Sequence, residues 1–158
     1  MTLEDRVRRL EDVDAIRRLR NLYHYFVNEN LPDRFREIYT DDGVMQTDDH
    51  MKFVGIDAIV EGFRKIPIYT PMVKQFVHSH EIDVDGDAAT AFAYIEARYA
   101  QDGVSLMVAG RYDEKYIRTP AGWRITYTYG KVDFAVPVQV GWAGDKLDYF
   151  SREKLSNW

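Results

Sequence analysis

Two histidines, His78 and His80, lie two residues apart in the segment QFVHSHEIDVDGD. The alternation of polar and apolar residues in this segment predicts a β-strand, in which every second residue shares a face. This parity puts both histidines on the apolar face of the strand, together with Phe76, Ile82 and Val84. An imidazole on an apolar face requires either a buried hydrogen-bonding partner or a chemical role. The pair is therefore the first candidate for a catalytic group in this chain.

His78 is the leading catalytic candidate, and the alternative of equal weight is a core histidine bonded to a backbone carbonyl group. His80 is interpreted first as structural and second as a contact to a bound ligand. A metal site on this strand would need a third ligand. The sequence does not show which way the side chains of His24 and His50 point, so neither is identified as a third ligand. We therefore expect no metal.

Further polar side chains could complete such a site. Asn28 lies near the end of the predicted first helix, where Asn is common as a C-cap, and with Tyr23 it could instead hold a water molecule or a ligand oxygen. Tyr23 belongs to the buried stripe of that helix, so packing alone also accounts for it. Asp48 and Asp49 end a short predicted strand. Acidic side chains at strand ends are usually solvated, but one of them turned inward would supply a carboxylate.

The composition restricts the class of function. A formal net charge of -5 with scattered basic residues argues against a nucleic-acid partner. The chain has no cysteine, which excludes disulfides, thiolate nucleophiles and cysteine-ligated zinc. It shows no apolar run of membrane-spanning length and no signal-peptide core, so we expect a soluble, cytoplasmic protein without a membrane partner. The 11 Tyr, 8 Phe and 3 Trp exceed the needs of a minimal core and indicate an aromatic pocket for a small molecule.

The hydrophobic period predicts which elements position these residues. Residues 3–27 repeat apolar side chains at steps of three and four, which predicts one long helix, and two shorter helical patterns cover residues 32–39 and 56–66. A short strand is predicted at residues 43–49, and the following HMKFVG is interpreted as an exposed turn. The helical pattern at 56–66 is expected to end at the two prolines of IPIYTP.

From residue 73 the period changes to two, with glycine-containing turns between the runs, which predicts an antiparallel meander of four strands. In this meander Arg111, Asp113, Glu114 and Lys115 are interpreted as cross-strand ion pairs on a solvated face. Helices followed by hairpin-linked strands indicate a single α+β domain over residues 1–158. Its C-terminal arm, from about residue 137 to 158, is interpreted as a lid or as a packing arm against another subunit.

Four segments occur in a characteristic order, namely AIRRLRNLYHYFVN, FREIYTDDGVM, HSHEIDVDGD and GRYDEKYIRTPAGWRI. In them the chain resembles the SnoaL-like group of the nuclear transport factor 2-like family. That group includes polyketide cyclases, scytalone dehydratase, bile-acid 7α-dehydratase and hexachlorocyclohexane dehydrochlorinase. The resemblance extends to about Asp133 and implies a cone-shaped, curved antiparallel sheet wrapped round three N-terminal helices, an α+β barrel with a deep pocket.

The resemblance also implies roles for individual residues. In the dehydratase and dehydrochlorinase members a strand histidine is the base, an aspartate late in the first helix orients it, and a tyrosine earlier in that helix faces the pocket. These positions correspond to His78, Asn28 and Tyr23, with Gln75 as the alternative for the histidine. Asn28 departs from the family pattern, because an amide can fix an imidazole tautomer but cannot stabilise an imidazolium.

Four further residues are expected to contact the ligand. The fold that the resemblance implies puts Tyr129 and Lys131 beside the mouth of the pocket, and Asp48 and His80 complete the set. The family resemblance further implies a homodimer or homotrimer.

Together these residues predict a cofactor-independent lyase or isomerase of the dehydratase type, which acts on a small, apolar, cyclic, hydroxylated substrate by histidine acid–base catalysis. One alternative is a non-catalytic module that binds a small molecule or serves assembly. Another is an enzyme of the epoxide hydrolase or polyketide cyclase type. A carboxylate within reach of His78 favours catalysis, whereas an imidazole without one favours binding.

Overall fold

The computed structural model describes residues 1–48 and 51–143. Asp49, His50 and the part of the C-terminal arm beyond residue 143 lie outside the described residues. The elements, in chain order, are α1 (Leu3–Asn28), a 3-10 helix (Pro32–Glu37), β1 (Tyr39–Thr47), β2 (Met51–Val54), α2 (Ile56–Tyr69), β3 (Met72–Asp85), β4 (Ala88–Gln101), β5 (Val104–Thr119) and β6 (Gly122–Pro137). None of the described helices combines the length and apolar character that a membrane span requires.

Helix α1 begins at a capping box. The backbone N–H of Asp5 donates to Thr2 Oγ1 at 3.1 Å, and the backbone N–H of Thr2 donates to Asp5 Oδ2 at 2.8 Å. The helix then buries a stripe that mixes apolar and polar side chains, comprising Asp12, Ile16, Leu19, Arg20, Tyr23, His24, Phe26 and Val27. Its polar members, such as Asp12, Arg20 and His24, place ionisable groups in the interior of the fold.

The six strands form one mixed sheet in the order β2-β1-β6-β5-β4-β3. The predicted antiparallel meander is confirmed as β3 to β6, and β1 adds to β6 in parallel. The sheet is curved but not closed, because β2 and β3 are its two edges. The interpretation of HMKFVG as a turn is wrong, since β2 pairs with β1 in a hairpin. Its four residues are too few to show a period in the sequence.

The two shorter helical patterns are confirmed, with two corrections. The first is a 3-10 helix that begins at Pro32 and not an α-helix. The second, α2, continues through Pro67 to Tyr69. Proline removes one backbone donor but has a helical φ, so it is tolerated in a last turn where one hydrogen bond is lost. Thr70 then closes the helix, because both its backbone N–H and its hydroxyl donate to the carbonyl of Ile66.

A β-bulge in β3 reverses the side-chain parity of that strand. His78 pairs with Tyr94 and Glu81 pairs with Phe92, so β3 carries one extra residue there, and Ser79 takes a φ of 49°. Before the bulge the odd-numbered residues face the helices, and after it the even-numbered residues do. The prediction that His78 shares a face with His80 is therefore wrong.

Candidate functional site

A cavity of about 300 Å³ lies between the helices and the concave face of the sheet. Its walls are mainly apolar, with Met45, Phe63, Ile95 and Val108 among them. The polar side chains of the lining include Tyr23, Thr47, Asp48, Gln75, Gln101 and Tyr112. A mainly apolar cavity with a few polar groups is the usual form of a small-molecule site.

Gln75 reaches this cavity from the edge strand β3, and Asn28 fixes its backbone. The side-chain amide of Asn28 donates from Nδ2 to the Gln75 carbonyl oxygen at 2.9 Å, and its Oδ1 accepts from the Gln75 backbone N–H at 2.7 Å. Asn28 thus pairs with the free edge of the sheet as another peptide group would, which satisfies two backbone groups that an edge strand leaves open. Lys74 also joins β3 to the end of α1, because its ammonium donates to the backbone carbonyl of Asn28 at 2.7 Å.

His24 lies one helical turn before Asn28 and is almost completely buried beside Gln75. Burial, and then the charge of Arg20, lower the pKa of His24 from 6.5 to about 3, while hydrogen bonding with Gln75 opposes this shift. Neither ring nitrogen of His24 nor the Oε1 of Gln75 has a partner within full hydrogen-bond geometry. The two side chains therefore lie close enough for Gln75 to affect the pKa of His24, although no hydrogen bond joins them. His24 is a neutral imidazole at physiological pH.

A fully buried ion pair joins α1 to the sheet below the cavity. The guanidinium of Arg20 binds both carboxylate oxygens of Glu114, and its Nε donates to Oε2 at 3.0 Å. The same guanidinium lies between two tyrosine rings, with its Cζ 4.2 Å from the ring centroid of Tyr23 and 4.4 Å from that of Tyr112. Tyr23 and Tyr112 thus contact both the ion pair and the cavity. The interpretation of Glu114 as a solvated residue is wrong. Arg111 and Asp113 do form an ion pair on the outer face, but it runs along β5 and does not join two strands.

Glu114 gathers further polar side chains around its carboxylate. The Tyr116 hydroxyl donates to Oε2 at 2.8 Å, and the Thr128 hydroxyl donates to Oε1 at 3.4 Å. His80 faces the same carboxylate, with its Nε2 3.7 Å from Oε2. Burial and then the charge of Arg20 lower the pKa of His80 to about 4. His80 is therefore a structural neighbour of the ion pair, as its first interpretation expects, and it does not line the described cavity.

The tyrosines of the cavity wall are weak acids in this setting. Burial is the main cause that raises the pKa of Tyr23 well above its ordinary value, and interactions with Tyr112 add to it. Burial likewise raises the pKa of Tyr112, although the charge of Arg20 opposes this. Both side chains remain protonated over the physiological range, so each can act as a neutral hydrogen-bonding group and not as a base.

The other predicted ligand contacts divide between cavity and surface. Asp48 lines the cavity, and its Oδ2 accepts from the backbone N–H of Val132 at 3.1 Å. Lys131 lies at the rim, where its Nζ is 3.7 Å from Asp133. Tyr129 is not part of the cavity lining, because its neighbours in β6, Thr128 and Gly130, take the inward positions.

His78 lies on the outer face of the sheet and is exposed. Its neighbours there include Tyr94, its partner on β4, and the exposed rings of Phe76 and Phe92. Of the other two predicted catalytic residues, Tyr23 is fully buried, and Asn28 is half-buried where α1 meets β3. The structure therefore does not bring the predicted catalytic set together, and the inward position on this part of β3 belongs to Gln75.

Sequence reasoning missed Arg20, His24 and Glu114 as interior residues. The spacing contained a signal for two of them. Arg20 is four residues after Ile16 in the buried stripe of α1, and Glu114 alternates with the aromatic residues Tyr112 and Tyr116. Within residues 1–48 and 51–143 no three His, Cys, Asp or Glu side chains are grouped as a metal ion would require.

The structure is similar to several solved structures at low sequence identity. A type 2 hexachlorocyclohexane dehydrochlorinase superposes with a TM-score of 0.79 at 15% identity, with 87% of this chain and 96% of that chain covered. The putative scytalone dehydratase of Novosphingobium aromaticivorans gives a TM-score of 0.75 at 14% identity, with 90% and 95% covered. An NTF2-like protein with a cystatin-like fold from the same organism gives 0.70 at 24% identity, with 83% and 88% covered. At these identities the similarity establishes the fold.

Curated protein sequences give no significant match. The SnoaL-like domain family, in contrast, matches residues 8–129, which is most of the chain and includes Tyr23, Gln75 and the Arg20–Glu114 pair. This chain is a member of the SnoaL-like domain family.

Proposed function

We propose that this protein binds a compact, largely apolar, cyclic molecule in the cavity and releases it unchanged. One observation carries the proposal: the inward position on β3 beside α1 holds the amide of Gln75, and no imidazole belongs to the lining of the described cavity. A side-chain amide neither gains nor loses a proton near neutral pH, so it can orient a ligand but cannot act as a general base.

The dimensions and polarity of the cavity support this proposal. A volume of about 300 Å³ suits a ligand of two or three fused rings, and the apolar wall favours a hydrocarbon skeleton. The single polar groups can bind one or two oxygen atoms of such a ligand. Asn28 supports binding as well, because both ends of its amide are occupied by the backbone of Gln75.

A second candidate is a proton-transferring lyase or isomerase, and Asp48 favours it. Its carboxylate lines the cavity and has one oxygen that accepts from a backbone N–H, which leaves the other oxygen for a ligand. In this version Asp48 is the base, and the hydroxyl of Tyr23 or Tyr112 binds the developing oxyanion. Two structural neighbours are named as a dehydrochlorinase and a putative dehydratase, which is consistent with this chemistry.

Mass spectrometry separates the two candidates. Purified protein is incubated with hydroxylated polycyclic ketones, steroid-like alcohols and epoxides, and both the retained compounds and their products are measured. Binding without conversion predicts retained compounds of unchanged mass and unchanged chromatographic elution, which a cavity-filling variant, Ala97→Leu, no longer retains. Loss of water or an isomerised product that disappears in Asp48→Asn supports the enzyme instead.

His78→Ala is the matched control, because His78 lies on the outer face of the same sheet. We expect this variant to retain and release the same compounds as the wild type. Loss of retention or of turnover in His78→Ala would contradict the assignment of the cavity as the site. Failure of the wild type to retain any of these compounds would refute the proposed ligand class.

A further inference from the structure

Gln75 differs from the other polar residues of the cavity because a side chain of α1 fixes both of its backbone hydrogen-bonding groups. The side-chain amide of Asn28 fixes the Gln75 N–H and C=O groups at 2.7 and 2.9 Å. Strand β3 is an edge strand, so this clamp replaces the missing neighbour and sets the direction of the Gln75 side chain. A polar group held in this way is well suited to select a ligand.

The two ends of the Gln75 amide have different surroundings. The oxygen Oε1 is buried without a formed hydrogen bond and the side chain lies beside the imidazole of His24, whereas the nitrogen Nε2 is not among the buried atoms that lack a partner. His24 is itself buried between Arg20 and Gln75 and is neutral, so one of its ring nitrogens carries a hydrogen that can point to Oε1. This arrangement leaves the N–H groups of the amide for the cavity.

We propose that Gln75 determines the class of ligand by donating a hydrogen bond from its amide to a carbonyl oxygen, so that the cavity selects cyclic ketones. This inference rests on the proposed function of the cavity as a small-molecule site. An apolar ligand without an acceptor leaves the Gln75 donor buried and unsatisfied, which carries a free-energy penalty. A ketone of the same shape removes that penalty.

Three compounds with the same bicyclic skeleton provide the test: 1-tetralone, 1-tetralol and tetralin. Their dissociation constants are measured by calorimetry for the wild type, Gln75→Leu, Gln75→Glu and Gln101→Leu. Gln101→Leu is the matched control, because it makes the same chemical change at another point of the cavity lining. A single neutral hydrogen bond predicts that the wild type binds the ketone about fivefold to tenfold more tightly than tetralin.

Gln75→Leu is expected to abolish this preference, and Gln101→Leu is expected to keep it. Gln75→Glu replaces the amide donor with an acceptor of the same shape, so it should disfavour the ketone and favour the alcohol, whose hydroxyl can donate. The carbonyl stretching frequency of bound 1-tetralone gives a readout independent of affinity. It should be lowered in the wild type and in Gln101→Leu, and restored in Gln75→Leu.

The outcomes separate this inference from the proposed function. Equal binding of the ketone and the hydrocarbon by the wild type, or a preference that survives in Gln75→Leu, overturns the role of Gln75 while leaving the cavity as the binding site. Preference of Gln75→Glu for the ketone over the alcohol also overturns the inference, because a carboxylate has no hydrogen to donate to a carbonyl oxygen. Binding of none of the three compounds by the wild type refutes both proposals.

Discussion

Lowering the pH should destabilise this protein through its two buried histidines, His24 and His80. Burial and the charge of Arg20 lower the pKa of His24 to about 3 and that of His80 to about 4, from an ordinary value of 6.5. In the unfolded chain both imidazoles take up a proton as the pH falls below 6.5, whereas in the folded chain they stay neutral. The unfolded state then binds more protons, so the free energy of unfolding decreases as the pH falls from 6.5 towards 4.

The size of this effect follows from the pKa values. For His80 the difference between 6.5 and about 4 corresponds to about 3 kcal/mol, at about 1.4 kcal/mol per pKa unit. In the middle of the range each histidine contributes a slope of about 1.4 kcal/mol per pH unit. The paired carboxylates act at lower pH, since the unfolded pKa is 3.8 for an aspartate such as Asp12 and 4.5 for a glutamate such as Glu37. The interval above about pH 5 therefore reports mainly on the histidines.

Urea unfolding at a series of pH values measures this slope for the wild type, His80→Asn and His78→Asn. His80→Asn should lower the slope between about pH 5 and 6 by about 1.4 kcal/mol per pH unit, because one proton uptake is removed. His78→Asn, two residues away on the exposed face, should keep the slope of the wild type. An unchanged slope in His80→Asn, or a reduced slope in His78→Asn, would refute the inward placement of His80 and the bulge that produces it.

Three further substitutions test the buried ion pair, the close approach of β5 to β6, and the hydrogen bonds of Asn28. Glu114→Gln should cost about 3 to 5 kcal/mol of unfolding free energy in urea, because the buried guanidinium of Arg20 loses its countercharge; a loss below about 1 kcal/mol would contradict this. Gly110→Ala should lower the melting temperature by several degrees in a thermal scan, since its Cβ would lie 2.3 Å from a backbone oxygen of the next strand. A melting temperature equal to that of the wild type would show that β5 and β6 separate without cost. Asn28→Asp should lower the free energy of unfolding by about 1 to 3 kcal/mol at neutral pH, because a carboxylate cannot donate to the backbone carbonyl of Gln75. Urea unfolding at pH 7 measures this change, and an unchanged free energy of unfolding would contradict the role of this hydrogen bond.

The hydrophobic period predicted most of the fold because most elements are long. Helix α1 and strands β3 to β6 each extend over many residues, and their periods of 3.6 and 2 are clear in the sequence. The parallel addition of β1 to β6 could not be predicted from local pattern, because it joins segments about eighty residues apart. The four residues of β2 carried no usable period.

The candidate site was harder to predict because one residue changed its geometry. A single extra residue at Ser79 moves His78 and Phe76 to the outer face, and serine is not a residue whose presence signals a positive φ. The same shift brings Gln75 inward, where the sequence offered it only as an alternative. Arg20 and Glu114 were missed for another reason. Charged residues are rarely fully buried, so neither was expected in the interior although their spacing matches that of buried neighbours.

The bulge and the edge position of β3 together explain the residue at position 28. An edge strand presents both an N–H and a C=O group to its free side, and only a side chain that donates and accepts can satisfy both. The amide of Asn28 does so for Gln75, whereas an aspartate could only accept. An aspartate is useful at this position when an imidazole on the neighbouring strand needs a countercharge. Because Gln75 is neutral and needs none, the two amides form a consistent pair, and a change of chemistry at one position requires a change at the other.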